Sequence, residues 1–230
     1  MSAENARVPT PPEGLRPAQM GIVLLGRPIL GHAAVTLADL AERGLLKADE
    51  IADDWQLERP PRQSRPHQHA GLLTFEEALL EGLLHGADKP LLSGLTEQLA
   101  PALRQFASGL LRDAVHHGWL RRLHHDQRTP AGERLAAQIR SFRSGLRQLK
   151  ASGGEGAITG HLSYALMFGL ASRDRLPHAR LAASWIRACS SLPGWMPPEA
   201  KRPRLGDPDF TRDEWRGMGL DGAIALSASL

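Results

Sequence analysis

From Leu135 onward, apolar residues recur at +4, +3, +4 and +3: Leu135, Ile139, Phe142, Leu146 and Leu149. That spacing marks one face of an α-helix. Thr129-Pro130 stands ahead of it, with threonine as cap and proline at the first helical position. The pattern predicts a helix over 130–150, broken by "GGEG" at 153–156. Upstream, Leu99, Leu103, Phe106, Leu110 and Val115 predict a second helix that ends near Gly118. "FEEALLEGLLHG" predicts a third, with Thr74 as N-cap and Glu77 completing a capping box. In "AAVTLADLAERG" (33–44), Val35, Leu37, Leu40 and Ala41 form a helical stripe and Gly44 supplies the stop. "GIVLLG" (21–26) reads equally as a strand or as the start of a helix. "ITGHLSYALMFGLAS" and "ARLAASWIRACSSL" predict two further apolar helices.

Shorter segments fit strands. "LLKADEI" and "DWQLER" pair around the acidic turn "ADD". "KPLLSGL" is a short extended stretch, and "WLRRLHH" with the polar "DQR" reads as a wing. A helix followed directly by a small hairpin is a winged-helix pattern, and it occurs twice. The expected fold is mainly α: two winged-helix-like units followed by a C-terminal helical layer. The expected boundaries are a disordered tail at 1–19, a first unit at 20–58 and a Pro-rich linker at 59–71. A second unit with the C-terminal helices follows at 72–195, then a loosely packed tail at 196–230.

The 230 residues suffice for a sizeable core. With only five Phe, five Trp and one Tyr, Leu and Ala must fill it, which favours helices. The single cysteine, Cys189, excludes an intrachain disulfide and fits a reducing cytoplasm. The N-terminus lacks the basic start and apolar core of a secretory signal. No apolar run approaches the ~18–20 residues of a membrane span, so no membrane insertion is expected. The net charge of +3 hides an asymmetry. Residues 33–58 hold seven acids against two bases, whereas residues 101–150 hold ten Lys/Arg against three acids.

The order "GIVLLGRP", "VTLADLAERGLLKADE", "DDWQLE", "FEEALLEGLL", "GWLRR", "IRSFRSGL" and "LSYALMFGLA" resembles the C-terminal soluble region of the YciQ-like family. These are predicted bacterial membrane proteins of unknown function. The resemblance spans roughly residues 20–195 and implies tandem winged-helix units followed by helices. It carries no catalytic residues across, and the family's membrane segments have no counterpart in this sequence. It also raises peripheral association with a membrane protein.

Candidate chemistry concentrates in the basic half. Arg140, Arg143, Arg147 and Lys150 are spaced +3, +4 and +3, one residue off the apolar stripe. Arg121, Arg122 and Arg128 lie in the expected wing. Clustered cations on a wing and a helix suit phosphate or another anionic partner. Against that, the segment 101–117, where a recognition helix would lie, offers only Arg104, Arg112 and Gln105 for base reading. Asp39 and Glu42 on the first unit's helix would repel phosphate, so that unit is expected to pack against a protein.

Of the ten histidines, four fall in "HHGWLRRLHHDQR". His117 and His124 are the pair that a hairpin would bring together for zinc. Adjacent side chains diverge, however, and no third ligand stands at a supporting spacing, so no metal and no cofactor are expected. "GGEGAITG" lacks the lysine of a phosphate loop, and no nucleophile elbow is present. The expectation is a non-enzymatic protein-interaction or adaptor module. The rival is a DNA-binding transcriptional regulator that uses the basic wing and helix of residues 119–150.

Overall fold

A computed structural model describes residues 9–61, 71–86, 89–122, 127–171 and 177–190. The described chain is mainly helical, with seven α-helices and one two-stranded antiparallel hairpin. Among these residues no helix is long and apolar enough to cross a membrane.

Helix α1 (Pro17–Leu25) begins with proline at its first turn and ends at Gly26, whose φ of 67° closes the helix. Every residue of α1 is buried. That explains why "GIVLLG" shows no amphipathic stripe: a helix covered on all sides needs none. Of the tail expected over 1–19, residues 1–8 lie outside the described residues, and much of the rest takes regular structure. Residues 12–14 form a 3-10 turn, Leu15 is buried, and the first unit starts at Pro17 rather than at 20.

Helix α2 (Leu30–Glu42) starts earlier than its stripe suggested and is buried from Leu30 to Leu40. Gly44 stops it, as expected, and the N–H groups of Leu45 and Leu46 donate to Leu40 O. Strands β1 (Lys47–Ile51) and β2 (Asp54–Glu58) follow, with Lys47 opposite Glu58 and Ile51 opposite Asp54. The turn residues Ala52 and Asp53 both have positive φ, the conformation that two-residue hairpin turns require.

In helix α3 (Thr74–Leu84) the cap shifts by one residue. Thr74 is already helical, and Glu76, not Glu77, reaches back to accept from Leu73 N at 2.9 Å. The stretch expected to be extended after it supplies only a bridge, Gln56 to Leu91, and then a 3-10 turn over Leu92–Leu95. Helix α4 (Thr96–His116) packs along α3. They pack closely at Gly82, where an added Cβ would sit 2.4 Å from Ala102 Cβ.

The expected wing after α4 appears as one bridge, Leu120 to Arg128, with residues 123–126 outside the described set. Helix α5 (Pro130–Gly153) is capped by Thr129, whose Oγ accepts from Gly132 N at 3.0 Å. The apolar helix expected over "ITGHLSYALMFGLAS" divides. A 3-10 stretch covers Glu155–His161, and α6 spans only Leu162–Met167. Helix α7 (Pro177–Ser190) closes the described fold.

Helices α6 and α7 pack against α2, and α1 touches α2, α4, α5 and α6. Elements from before and after the linker thereby contribute to one hydrophobic cluster. Most of the linker (62–70) and the C-terminal tail of 196–230 lie outside the described residues.

Candidate functional site

The structure disperses the expected cationic stripe. Arg128 does not face outward: its Nε donates to Val23 O at 2.7 Å and its Nη2 donates to Leu24 O. A guanidinium at the carbonyl end of α1 also suits that helix's dipole. Glu133 pairs with it at 3.3 Å. Lys150 donates to Leu170 O and ties α5 to the end of α6. Arg143 is 8% exposed. The buried arc of α5 runs through Leu135, Ala136, Ile139, Phe142, Arg143 and Leu146, wider than the apolar stripe alone. Arg140 is half-buried, while Arg121, Arg122 and Arg147 are exposed.

The stripe therefore contains one arginine that packs and one that faces water. Arg143→Ala should lower stability by about 2 kcal/mol through lost burial of the arginine stem. Arg147→Ala should change it by no more than ~0.5 kcal/mol. Urea unfolding of the two variants checks this; equal effects would mean that the two arginines share one environment.

Among the described residues, the histidines at the end of α4 pair with an aromatic ring and one carboxylate. His117 stacks on Trp119, with ring centroids 4.7 Å apart and planes at 14°, and its Nε2 lies 3.6 Å from Asp113 Oδ1. His124 lies outside the described residues. Among the described residues no three His, Cys, Asp or Glu side chains are placed to hold a metal ion. Tyr164 donates its hydroxyl to Leu15 O at 2.9 Å, and the half-buried His161 and Tyr164 both pack edge-on near Phe142. Burial pushes the Cys189 thiol up to about 12, so it stays protonated at neutral pH.

A buried ionic cluster joins four segments. Arg43 Nε lies 2.8 Å from Asp39 Oδ2, and Arg43 Nη2 donates to Glu76 Oε1 at 2.5 Å. Arg16 Nε stands 3.7 Å from the same Glu76 oxygen. Ser163 N donates to Glu42 Oε2 at 3.1 Å, and Ser163 Oγ donates to Asp39 Oδ1 at 3.5 Å. Burial holds the carboxyls of Asp39 and Glu76 above the usual carboxylate range, and desolvation by the packed chain does the same for Glu42 at the cluster's exposed margin. The arginines pull Asp39 and Glu76 back down, and the hydrogen bonds from Ser163 do the same for Glu42. These groups answer one another, and the cluster clamps the segment before α1, the end of α2 and the starts of α3 and α6. Asp39 and Glu42, which the sequence placed on a would-be recognition helix, are engaged here.

Sequence reasoning missed the outward face of the hairpin. Trp55 and Leu57 of β2 point inward, and Trp55 Nε1 donates to Ser184 Oγ of α7 at 3.1 Å. Asp54, Gln56 and Glu58 therefore face out, beside Ile51, Asp49 and Lys47 in the register. The bridge to Gln56 adds Leu91 to this face. Among the described residues the exposed large hydrophobics are Ile51 at 45% and Leu91 at 42%. They lie on the same side of the hairpin, on either flank of β2, with Asp54 and Gln56 between them and Asp49 and Glu58 beside them. Asp54 also accepts from Ser93 Oγ at 2.6 Å, and Lys89 pairs with Glu58 at 3.0 Å, so the surface is braced. No spacing rule connects Ile51 with Leu91 across forty residues of chain; only the fold brings them together.

Neither a family model, nor a curated protein sequence, nor a solved structure matches the chain.

Proposed function

We propose that this chain is a non-enzymatic protein-interaction or adaptor module built on two winged-helix-like units. In this reading α1, α2 and the β1–β2 hairpin make the first unit. Helices α3 and α4 with the Leu120–Arg128 arm make the second, and α6 and α7 form the C-terminal layer. The resemblance to the YciQ-like region supports the tandem arrangement and makes a membrane protein one class of partner to test.

The observation that carries the reading is the hairpin's outward face, where Ile51 and Leu91 stand exposed on one braced surface among paired charges. Exposed apolar side chains gathered in one patch and rimmed by polar groups mark interaction sites. The rim mixes charges, with Asp49 and Glu58 paired to Lys47 and Lys89, and suits a partner with a small apolar anchor flanked by polar groups of both signs. The alternating charges along β1, Lys47 and Asp49, guard its open edge against indiscriminate strand pairing.

The test is Ile51→Ser combined with Leu91→Ser. Both sites are exposed, so the melting temperature should hold nearly constant. A partner captured by the wild-type chain should lose at least about tenfold in affinity, the scale of one interface anchor. A partner that binds the double variant as well as wild type would place the interaction elsewhere.

A further inference from the structure

We infer that the outward face of α4, together with Arg121 and Arg122, is a docking surface for duplex DNA, separate from the hairpin surface. Helix α4 is covered by α3 and touched by α1, α2 and α7, so it keeps one narrow row open. That row holds Gln98, Pro101, Arg104, Gln105, Arg112 and His116, all exposed, with Ser108 half-buried among them. By helical rotation they share an arc of about 120°. The buried residues Leu99, Leu103, Phe106 and Leu110 lie on the other side.

The composition of the row decides its partner. From Arg104 to His116 it carries two guanidiniums, an amide, a hydroxyl and an imidazole. The one acid in that stretch, Asp113, is turned aside: it accepts from Gln19 Nε2 at 2.8 Å and faces His117. Glu97, in the first turn, shares the arc by rotation but lies one full turn ahead of Pro101, away from the stretch between Arg104 and His116. Arg112 is braced along the helix, its Nε donating to Ser108 O at 3.3 Å. The chain then turns at Gly118 and presents Arg121 and Arg122, both exposed, on the arm anchored by Arg121 N to Gln127 O at 3.0 Å. Arg and Gln side chains on a rigid helix are the groups that read base edges, and the arm's arginines suit phosphates.

Physical chemistry narrows the nucleic acid to one form. The row from Arg104 to His116 is about 18 Å long, on a helix about 10–12 Å wide, dimensions that a B-form major groove admits. The deep, narrow major groove of A-form RNA does not. Single strands are held largely by exposed aromatic platforms. Trp119 is buried beneath His117 and offers none.

The test is fluorescence anisotropy of the full chain with a labelled DNA duplex of about two helical turns. The wild-type chain should bind, with affinity falling steeply between about 50 and 200 mM salt. Arg112→Glu with Arg121→Glu should weaken binding by at least about tenfold and flatten the salt slope by about two. Arg112→Gln with Arg121→Gln should repeat the loss in milder form, which guards against a folding defect in the first pair. Arg59→Glu with Arg187→Glu changes the net charge equally at exposed sites elsewhere and should bind nearly as wild type. The Ile51→Ser, Leu91→Ser variant should also keep its DNA affinity, so the hairpin reading and this one stand or fall separately. The inference is overturned if no duplex binding occurs, or if the Arg59–Arg187 pair weakens binding as much. It is equally overturned if single-stranded DNA or duplex RNA binds as tightly, or if polyglutamate competes as well as duplex DNA, which would point to an acidic protein.

Discussion

Replacing Arg43 with methionine should cost about 3–5 kcal/mol of stability at neutral pH, because two buried carboxylates lose their principal partner. Asp39 and Glu76 are both buried, and Arg43 contacts each of them. Arg16 remains, but only at 3.7 Å from Glu76. The pH dependence follows from the direction of the shifts. Burial already raises both carboxyls, with Arg43 opposing it; removing Arg43 raises them further. A carboxyl whose folded pKa exceeds its unfolded value contributes stability that is fully present below the unfolded pKa of about 4. That contribution is lost as pH rises through the folded value. The deficit of the Arg43→Met variant relative to wild type should therefore be largest near pH 7 and shrink towards pH 5. Urea unfolding of both proteins at the two pH values measures it. A deficit that stays constant with pH, or below about 1 kcal/mol, would show that solvent rather than Arg43 stabilises these carboxylates.

Acid should act in the opposite direction through His32. This side chain is wholly buried, and burial, helped by Arg27, lowers its pKa from 6.5 to about 3. Its Nδ1 accepts from Ile29 N at 3.3 Å, which places the proton of the neutral ring on Nε2. Nε2 has no hydrogen-bond partner and lies where a Cβ on Gly21 would stand only 2.3 Å away. Protonation would add a charge in an apolar contact between α1, α2 and α6. A base with a depressed folded pKa contributes stability that is present above its unfolded pKa and lost as pH falls through the folded one. Between pH 6.5 and about 3, that loss amounts to on the order of 4 kcal/mol. His32→Leu should remove this part of the acid sensitivity, at a fixed cost from the lost acceptor for Ile29 N. The difference between wild-type and variant unfolding curves isolates it from the opposing carboxylates. If the two proteins lose stability in parallel on acidification, His32 is not the group responsible.

Much of the local structure was legible in the residue pattern. Helix α5 is half exposed, so its core side chains fall into a stripe, and Thr129-Pro130 chemically marks its start. The hairpin was legible because β2 alternates Trp55 and Leu57 with polar residues, and because an acidic "ADD" interrupts two strand-like runs. The stop at Gly44 needed only a residue that tolerates positive φ.

The failures share a physical cause. Helix α1 is covered on every side, so its periodicity carries no information and its start at Pro17 was read as tail. The apolar run around α6 is long enough for one helix, yet its first four residues, Ile158 to His161, belong to a 3-10 stretch. Periodicity placed Arg143 and Arg147 on one stripe, because a wheel shows direction but not what stands opposite. The breadth of the buried arc on α5 determined that one packs and the other faces water. Arg128 looked like a wing cation, and only the carbonyl end of α1, a hundred residues earlier in the chain, made it a brace.

The sequence by itself thus determined the helical class, the hairpin and its turn, the caps of α5 and the separation of acidic and basic halves. These depend on dihedral preference and on which side chains prefer water, properties of neighbours along the chain. The tertiary structure alone decided which charges remain at the surface, the pairing of Arg43 with Glu76, and the placing of Ile51 and Leu91 on one side of the hairpin. Those depend on distances between residues far apart in sequence, and solvation and Coulomb energies respond to such distances, not to sequence spacing.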